Sequence, residues 1–251
     1  MVGAPVALSL GVPLGTWLGS VVGWRTAFGV MSLLSLALIL WVLAKVPDYP
    51  GQTGTKRMPL YKVWMTPGVR SVLGVVVLWM FAHNILYTYV APFITPAGLG
   101  DRADAVLLIF GLAALVGIWI TGRVVDSHLR TAVLTSLALF ATTSVLLGLG
   151  FQNARVICVG MALWGLSFGG AATLLQTALA DAAGEGADAA LAMNVVTWNS
   201  AIAGGGIFGG ILLDRYGPAF FPWATLVLLL GALAVAAAAK GHGFSAGRRQ
   251  G

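Results

Sequence analysis

Apolar residues run along this chain in long continuous blocks, not in alternation. The blocks cover about residues 2–22, 26–44, 70–92, 105–121, 131–150, 156–180, 189–213 and 219–239. An apolar run of roughly 17–25 residues, wound as a helix, crosses the ~30 Å hydrocarbon layer of a bilayer. Barrel strands would instead show short alternating segments. The pattern therefore predicts an all-α membrane protein with eight transmembrane helices. Polar and charged residues collect in the gaps between blocks.

Composition sharpens this reading. Of 251 residues, 59% are hydrophobic and 9% charged, with a mean hydropathy of +0.92. Soluble domains carry about 25% charged residues, so the lipid bilayer is the expected surrounding. The net charge of +6 does not point to nucleic acid, because basic and aromatic residues are not interleaved on one face. Basic residues instead follow topology. With both termini cytoplasmic, the inner segments hold Lys45, Lys56, Arg57, Lys62, Arg70, Arg123, Arg130, Lys240, Arg248 and Arg249, and the outer ones Arg25, Arg102, Arg155 and Arg215. No charged n-region precedes the first block, so no signal peptide is expected. The single cysteine, Cys158, excludes an intramolecular disulfide and a cysteine-based zinc site, and lies in an apolar run as a packing residue.

The gap from Pro47 to Val69 is the longest and reads as a cytoplasmic linker. Within it Leu60–Met65 forms either a short surface helix, with Trp64 at headgroup depth, or a solvated loop. A repeat is also present: a shift of 194 residues aligns Ala7 with Ala201, Gly11 with Gly205, Gly15 with Gly209 and Gly23 with Gly217.

No charged residue lies in the middle of a block, which leaves uncharged polar groups to carry function. The third block holds His83, Asn84 and Tyr87 on adjoining helical faces. The unperturbed pKa of histidine, near 6.5, suits a proton carrier, so His83 is read as a cavity-lining residue, with a proton carrier or a neutral hydrogen-bonded packing residue as the other readings. The sixth block holds Trp164, Thr173, Gln176 and Thr177. The seventh holds Asn194, Thr197, Trp198 and Asn199, with Asn194 and Trp198 one turn apart. Amides beside aromatic surface suit an amphipathic small solute, but the same groups also hydrogen-bond between helices. The substrate-cavity candidates are therefore His83, Asn84, Tyr87, Trp164, Gln176, Asn194 and Trp198. Between the fourth and fifth blocks, Gly122, Arg123, Asp126 and Arg130 form a candidate cytoplasmic gating loop, in which an acid and a base three residues apart can pair.

Gly11, Gly15 and Gly19 fall four apart and place a bare stripe on one helix, which lets a neighbouring helix approach closely. Pro13 should bend that helix. Gly205 and Gly209 form a second such stripe. The segment Gly11-x-Pro13-x-Gly15-x-x-x-Gly19, followed by Gly23-Trp24-Arg25 and Phe28, resembles the fifth-helix motif of bacterial twelve-helix drug–proton antiporters of the major facilitator superfamily. Gly122 to Arg130 resembles the weaker second copy of that superfamily's signature loop, with Ser127 where a basic residue is usual. Ala162–Gly170 with Leu175–Thr177 is similar to helix ten, and Asn194–Gly210 with Leu213–Arg215 to helix eleven and its turn.

This resemblance implies helices five to twelve of the fold. Residues 1–45 would be the last helix pair of the N-terminal bundle, 46–69 the linker, 70–240 a complete six-helix bundle and 241–251 a cytoplasmic tail. It further implies a secondary transporter in the bacterial inner membrane that exports a small drug-like or sugar-like solute by alternating access, with protons as the coupling ion. No cofactor or metal is called for. The family's proton-binding acids lie mostly in the four helices that would precede Met1, so the polypeptide as given is expected not to transport alone. A non-transporting scaffold, or the relic of a truncated transporter gene, is the alternative. An intramembrane enzyme would need a nucleophile beside a base, or a metal cluster, and His83, His128 and His242 supply neither.

Overall fold

The computed structural model describes residues 11–47 and 58–244. Ala7, Lys56, Arg57, Arg248 and Arg249 lie outside these residues. The described chain forms ten helices and no strand: α1 (Val12–Val22), α2 (Trp24–Lys45), α3 (Leu60–Met65), α4 (Val69–Thr88), α5 (Val90–Ile94), α6 (Ala103–Leu149), α7 (Ala154–Phe168), α8 (Ala171–Ala183), α9 (Ala187–Tyr216) and α10 (Phe221–Ala238). Inside a bilayer every backbone N–H and C=O must find its partner within the protein, and a helix satisfies each one locally. Hydroxyls follow the same rule. Ser144 donates to the Phe140 carbonyl and Thr225 to that of Phe221, each one turn back.

The apolar blocks appear as rods, with three instructive breaks. The gap expected as a loop at 122–130 is helical. α6 runs through it for 47 residues, and only His128 leaves helical geometry (φ −139°, ψ 36°). No glycine or proline stands between Arg123 and Arg130 to stop the helix, so the gating segment is a sharp helical corner and not a loop. The third block divides at Tyr89 (φ −113°, ψ 31°) into α4 and α5. Pro92 three residues on has no N–H for the Thr88 carbonyl, which explains the break. The sixth block divides at Gly169–Gly170 into α7 and α8.

α4 stands at the centre of the bundle. It packs on α9 and α10, while α6 packs along α7, α8 and α10. Residues Val69, Val72, Val75, Val76, Trp79 and Ile85 on α4 are fully buried. The backbones of α6 and α7 lie unusually close. A methyl group placed on Gly117 would strike the Leu166 carbonyl oxygen, one on Gly165 that of Phe110, and one on Gly169 that of Ala114. α4 and α9 form a second close pair, in which a Cβ on Gly205 would lie 2.8 Å from the Asn84 Cβ and one on Gly209 2.7 Å from the Tyr89 ring. The Tyr89 hydroxyl donates to the Gly206 carbonyl at 2.8 Å across the same seam.

The 194-residue repeat has a backbone counterpart. Gly23 (φ 88°, ψ 150°) and Gly217 (φ 75°, ψ 173°) adopt the same conformation, each closing a helix with its N–H on the carbonyl four residues earlier. L side chains rarely take these angles, so the corner calls for glycine. The stripes themselves differ in surroundings. Gly205 and Gly209 are filled against α4, whereas the faces of Gly11, Gly15 and Gly19 meet nothing within 4 Å among the described residues. α1 lies along α6 by another face, with Leu18 half-buried, and α2 has no buried residue. Lipid tails are as apolar as leucine, so such a helix is stable facing them. Pro13 falls in the first turn of α1, where its missing N–H costs nothing. The bend expected there would reach into residues outside the described set.

The linker segment does form a helix. α3 buries Val63 and exposes Leu60, Tyr61, Trp64 and Met65, while the Val63 side chain lies against the Gly184–Gly186 turn between α8 and α9.

Overpacking a closely approached helix pair costs about 1–3 kcal/mol. Gly205→Leu and Gly209→Leu should therefore lower the melting temperature of the detergent-solubilised chain, whereas Gly206→Ala, whose added methyl meets open space, should melt with the parent.

Candidate functional site

Trp79, His83 and Tyr87 follow one another at four-residue intervals on α4 and so share one face. Trp164 and Phe168 do the same on α7. Phe110 enters from the first arm of α6 and Phe140 from the second. These rings meet in the middle of the bundle with His83 at their centre. Its imidazole lies face to face on Phe168 (centroids 3.6 Å, interplanar angle 1°), 5.1 Å from Tyr87, 5.2 Å from Trp164 and 5.9 Å from Phe110. Phe110 and Phe140 approach Trp164 at 4.7 and 5.6 Å, and Trp79 meets Phe168 edge-on. His83 is 5% exposed and Trp164 1%.

The polar atoms of this cluster are the unusual part. Among the described residues, four buried side-chain atoms have no hydrogen-bond partner: Trp79 Nε1, His83 Nδ1, Trp164 Nε1 and Asn194 Oδ1. Three of the four belong to the ring cluster. A buried polar group without a partner costs roughly 1–3 kcal/mol, and such groups are held in place only by the packing around them. Flat aromatic faces and ring nitrogens are thus gathered at one place, packed against one another.

The structure distributes the other candidates differently. Asn84 is buried, but its amide donates to the Met80 carbonyl at 2.8 Å on its own helix, and its Cβ faces Gly205. It packs α4 on α9. Asn194 is buried on α9, while Gln176 on α8 and Trp198 on α9 are half-buried. Trp198 makes none of the ring contacts that define the cluster. Sequence reasoning missed Trp79, Phe110, Phe140, Phe168 and Tyr89. The four-residue spacing of Trp79, His83 and Tyr87, and of Trp164 and Phe168, was the signal for a ring face.

At the helical corner both arginines of the expected motif have further partners. Arg123 stacks over the Trp119 ring at 3.4 Å from its centroid. The Arg130 guanidinium donates to three carbonyls at the end of the chain, those of Ala236 (3.0 Å), Ala237 (2.9 Å) and Phe244 (3.0 Å). The last carbonyls of a helix lack partners and carry partial negative charge, so Arg130 caps α10. Residues 241–244, expected as tail, turn back onto the bundle. Phe244 is fully buried, and its N–H bonds to the Ala239 carbonyl. Beside this corner, between the two arms of α6, a cleft of about 410 Å³ is lined by Thr121, His128, Thr131, Thr135, Ser136 and Ser167 among others. His128 Nδ1 lies 2.8 Å from the Ser127 hydroxyl.

Helices long and apolar enough to cross a membrane, packed on a core of stacked rings, are those of a multi-pass helical membrane protein. Comparison with known families makes this specific: the model of the Major Facilitator Superfamily matches residues 1–206, and the chain belongs to that family. Among curated proteins it is similar to the purine ribonucleoside efflux pump NepI of Salmonella enteritidis PT4, 30% identical over 243 residues, covering 92% of this chain and 59% of that protein. It is likewise similar to the NepI pumps of Escherichia coli K12 (27%) and O157:H7 (28%), each over 219 residues, 84% of this chain and 54% of the relative. The chain thus spans somewhat more than half the length of the curated relatives it matches.

Three charge-assisted hydrogen bonds hold Arg130, and such bonds contribute about 1.5–3 kcal/mol. Arg130→Ala should raise amide hydrogen exchange at Gly243 and Phe244 by at least tenfold, with α2 unchanged. Arg130→Lys should recover only part of the protection, because an ammonium cannot reproduce the planar fork.

Proposed function

We propose that this chain is the solute-recognising part of a secondary transporter that exports a small molecule bearing a flat heterocyclic ring, a purine ribonucleoside being the best-supported example. The observation that carries this reading is the His83-centred ring cluster with its unpartnered nitrogens. The names of the relatives point the same way. A ring face binds a base by stacking, worth about 1–3 kcal/mol per base, and the nitrogens of Trp79, His83 and Trp164 bond its heteroatoms. The reading replaces the looser expectation of a drug-like or sugar-like solute, since a sugar offers no flat face to seven aromatic and imidazole rings.

Within this reading residues 1–45 belong to one bundle, 46–69 link, and 70–240 form the other. Both termini and the helical corner at His128 face the cytoplasm, as the basic residues favour. The two bundles rock against each other, and protons entering the cell drive export. His83 holds the solute and carries no assigned proton. Arg130 anchors the cytoplasmic end of α10 while the bundle moves.

The test is binding of adenosine by the purified 251-residue chain in lipid nanodiscs, followed by quenching of tryptophan fluorescence. His83→Ala and Trp164→Ala should each weaken binding about tenfold, the stacking loss of one ring face. Asn199→Ala should bind normally, because that exposed amide bonds to its own helix at Val195. Binding that ignores both ring substitutions, or no binding by a folded chain, overturns the solute assignment. In proteoliposomes containing only these 251 residues no proton-driven adenosine flux is expected; robust flux would refute the division into bundles.

A further inference from the structure

Between its own two arms α6 leaves a space that the ring cluster does not use, the cleft of about 410 Å³ beside the corner at His128. Its floor is closed, because Gly117 lies against the Leu166 carbonyl with no room for a methyl group. Its walls include Ile120 and Val124 from the first arm, and Ala132 and Leu139 from the second. His128, Thr131 and Thr135 are exposed along it. The first arm runs eleven residues from Gly117 to His128, and the second another eleven from His128 to Leu139. At 1.5 Å per residue each is ~16 Å of helix, about half of the ~30 Å hydrocarbon layer. Each arm of α6 is long enough to cross that layer, so the corner lies at the membrane surface and the cleft is one leaflet deep.

We propose that this cleft seats one phospholipid, with an acyl chain between the arms of α6 and the phosphate at the corner beside His128 and Arg123. The depth of the cleft fits a chain of one leaflet. Water is a poor filling for it, since each molecule needs two to four polar partners and much of the wall is apolar carbon. The Thr135 and Ser167 hydroxyls donate to carbonyls of their own helices. That of Thr131, three residues from His128, makes no hydrogen bond among the described residues, and a lipid ester carbonyl is an acceptor at that height. Charge favours the headgroup. Over residues 120–132 two arginines and His128 stand against one acid, Asp126. Arg123 lies over the Trp119 ring and Arg130 on three carbonyls, contacts that bring no negative ion to either. The Ser127 hydroxyl, 2.8 Å from His128 Nδ1, leaves Nε2 for the phosphate. Basic pockets between membrane helices hold phosphate headgroups in this way. The site is apart from the ring cluster and does not depend on which solute that cluster takes.

The experiment uses the whole 251-residue chain in phosphatidylcholine nanodiscs doped with phosphatidylglycerol that carries a photoreactive diazirine on one acyl chain. Labelled peptides are read by mass spectrometry as the doped fraction rises. A seated lipid labels residues 120–139 along a curve that saturates, whereas α2, which has no buried residue, is labelled in proportion to the fraction. Unlabelled phosphatidylglycerol should displace the first signal and only dilute the second. Ala132→Phe, which fills the cleft, should lower labelling of 120–139 at least fivefold with α2 unchanged. The pair Arg123→Ala and His128→Ala should raise the fraction needed for half-labelling about threefold. The curve for the intact chain decides the matter even where a variant fails to fold. Labelling that rises in proportion at both places, or a cleft that stays unlabelled, overturns the assignment.

Discussion

The contact on which the rest of this bundle depends is the bare face of a glycine against a neighbouring carbonyl. Water cannot drive one helix onto another inside a bilayer, so attraction comes from dispersion between closely approached backbones. Gly117, Gly165 and Gly169 bring α6 and α7 to that distance, against the carbonyls of Leu166, Phe110 and Ala114. Gly205 and Gly209 do the same for α9 on α4. A single methyl group at these places would push helices apart, so the positions fix where each rod lies and, through them, where Phe110, Trp164 and His83 meet.

Large rings occupy what the tight pairs leave open. The seam between α4 and α7 is spanned by side chains that stack and tilt on one another, and its polar atoms lack partners. A core built only for stability would have apolar carbon in those places or would bond the nitrogens to one another. Here rigidity and adaptability are divided between two kinds of contact within one bundle. At one end Arg130 closes the carbonyls of α10, and the buried Phe244 ties residues 241–244 to the same place.

Most of the fold was legible in the sequence, because among the described residues the apolar blocks are helical, with breaks at Tyr89 and at Gly169–Gly170. The corner at His128 was not, since a polar stretch without glycine or proline reads as a gap by hydropathy yet has no reason to leave the helix. The glycine stripes were visible, but their partners were not. Spacing shows that a face is bare; it does not show that Gly205 finds Asn84 while Gly11 meets nothing within 4 Å among the described residues. The candidate site was half legible. His83, Tyr87 and Trp164 stood out as polar or amphipathic residues in apolar blocks. Phe110, Phe140 and Phe168 carry no such mark, and only assembly of four helix arms gathers them. Asn84 stood out as an amide in an apolar block, but its bond to the Met80 carbonyl on its own helix was not legible there.

The division into tight pairs and a ring-filled seam is tested most directly by spin-label distances in the intact chain, with Cys158 replaced by serine. Labels at the exposed positions Leu112 on α6 and Val159 on α7 report the tight pair, and labels at Val77 on α4 and Val159 report the seam. The account predicts one narrow Leu112–Val159 distance and a broader Val77–Val159 distribution in the same lipid sample. A Val77–Val159 distribution as narrow as the Leu112–Val159 one would contradict it.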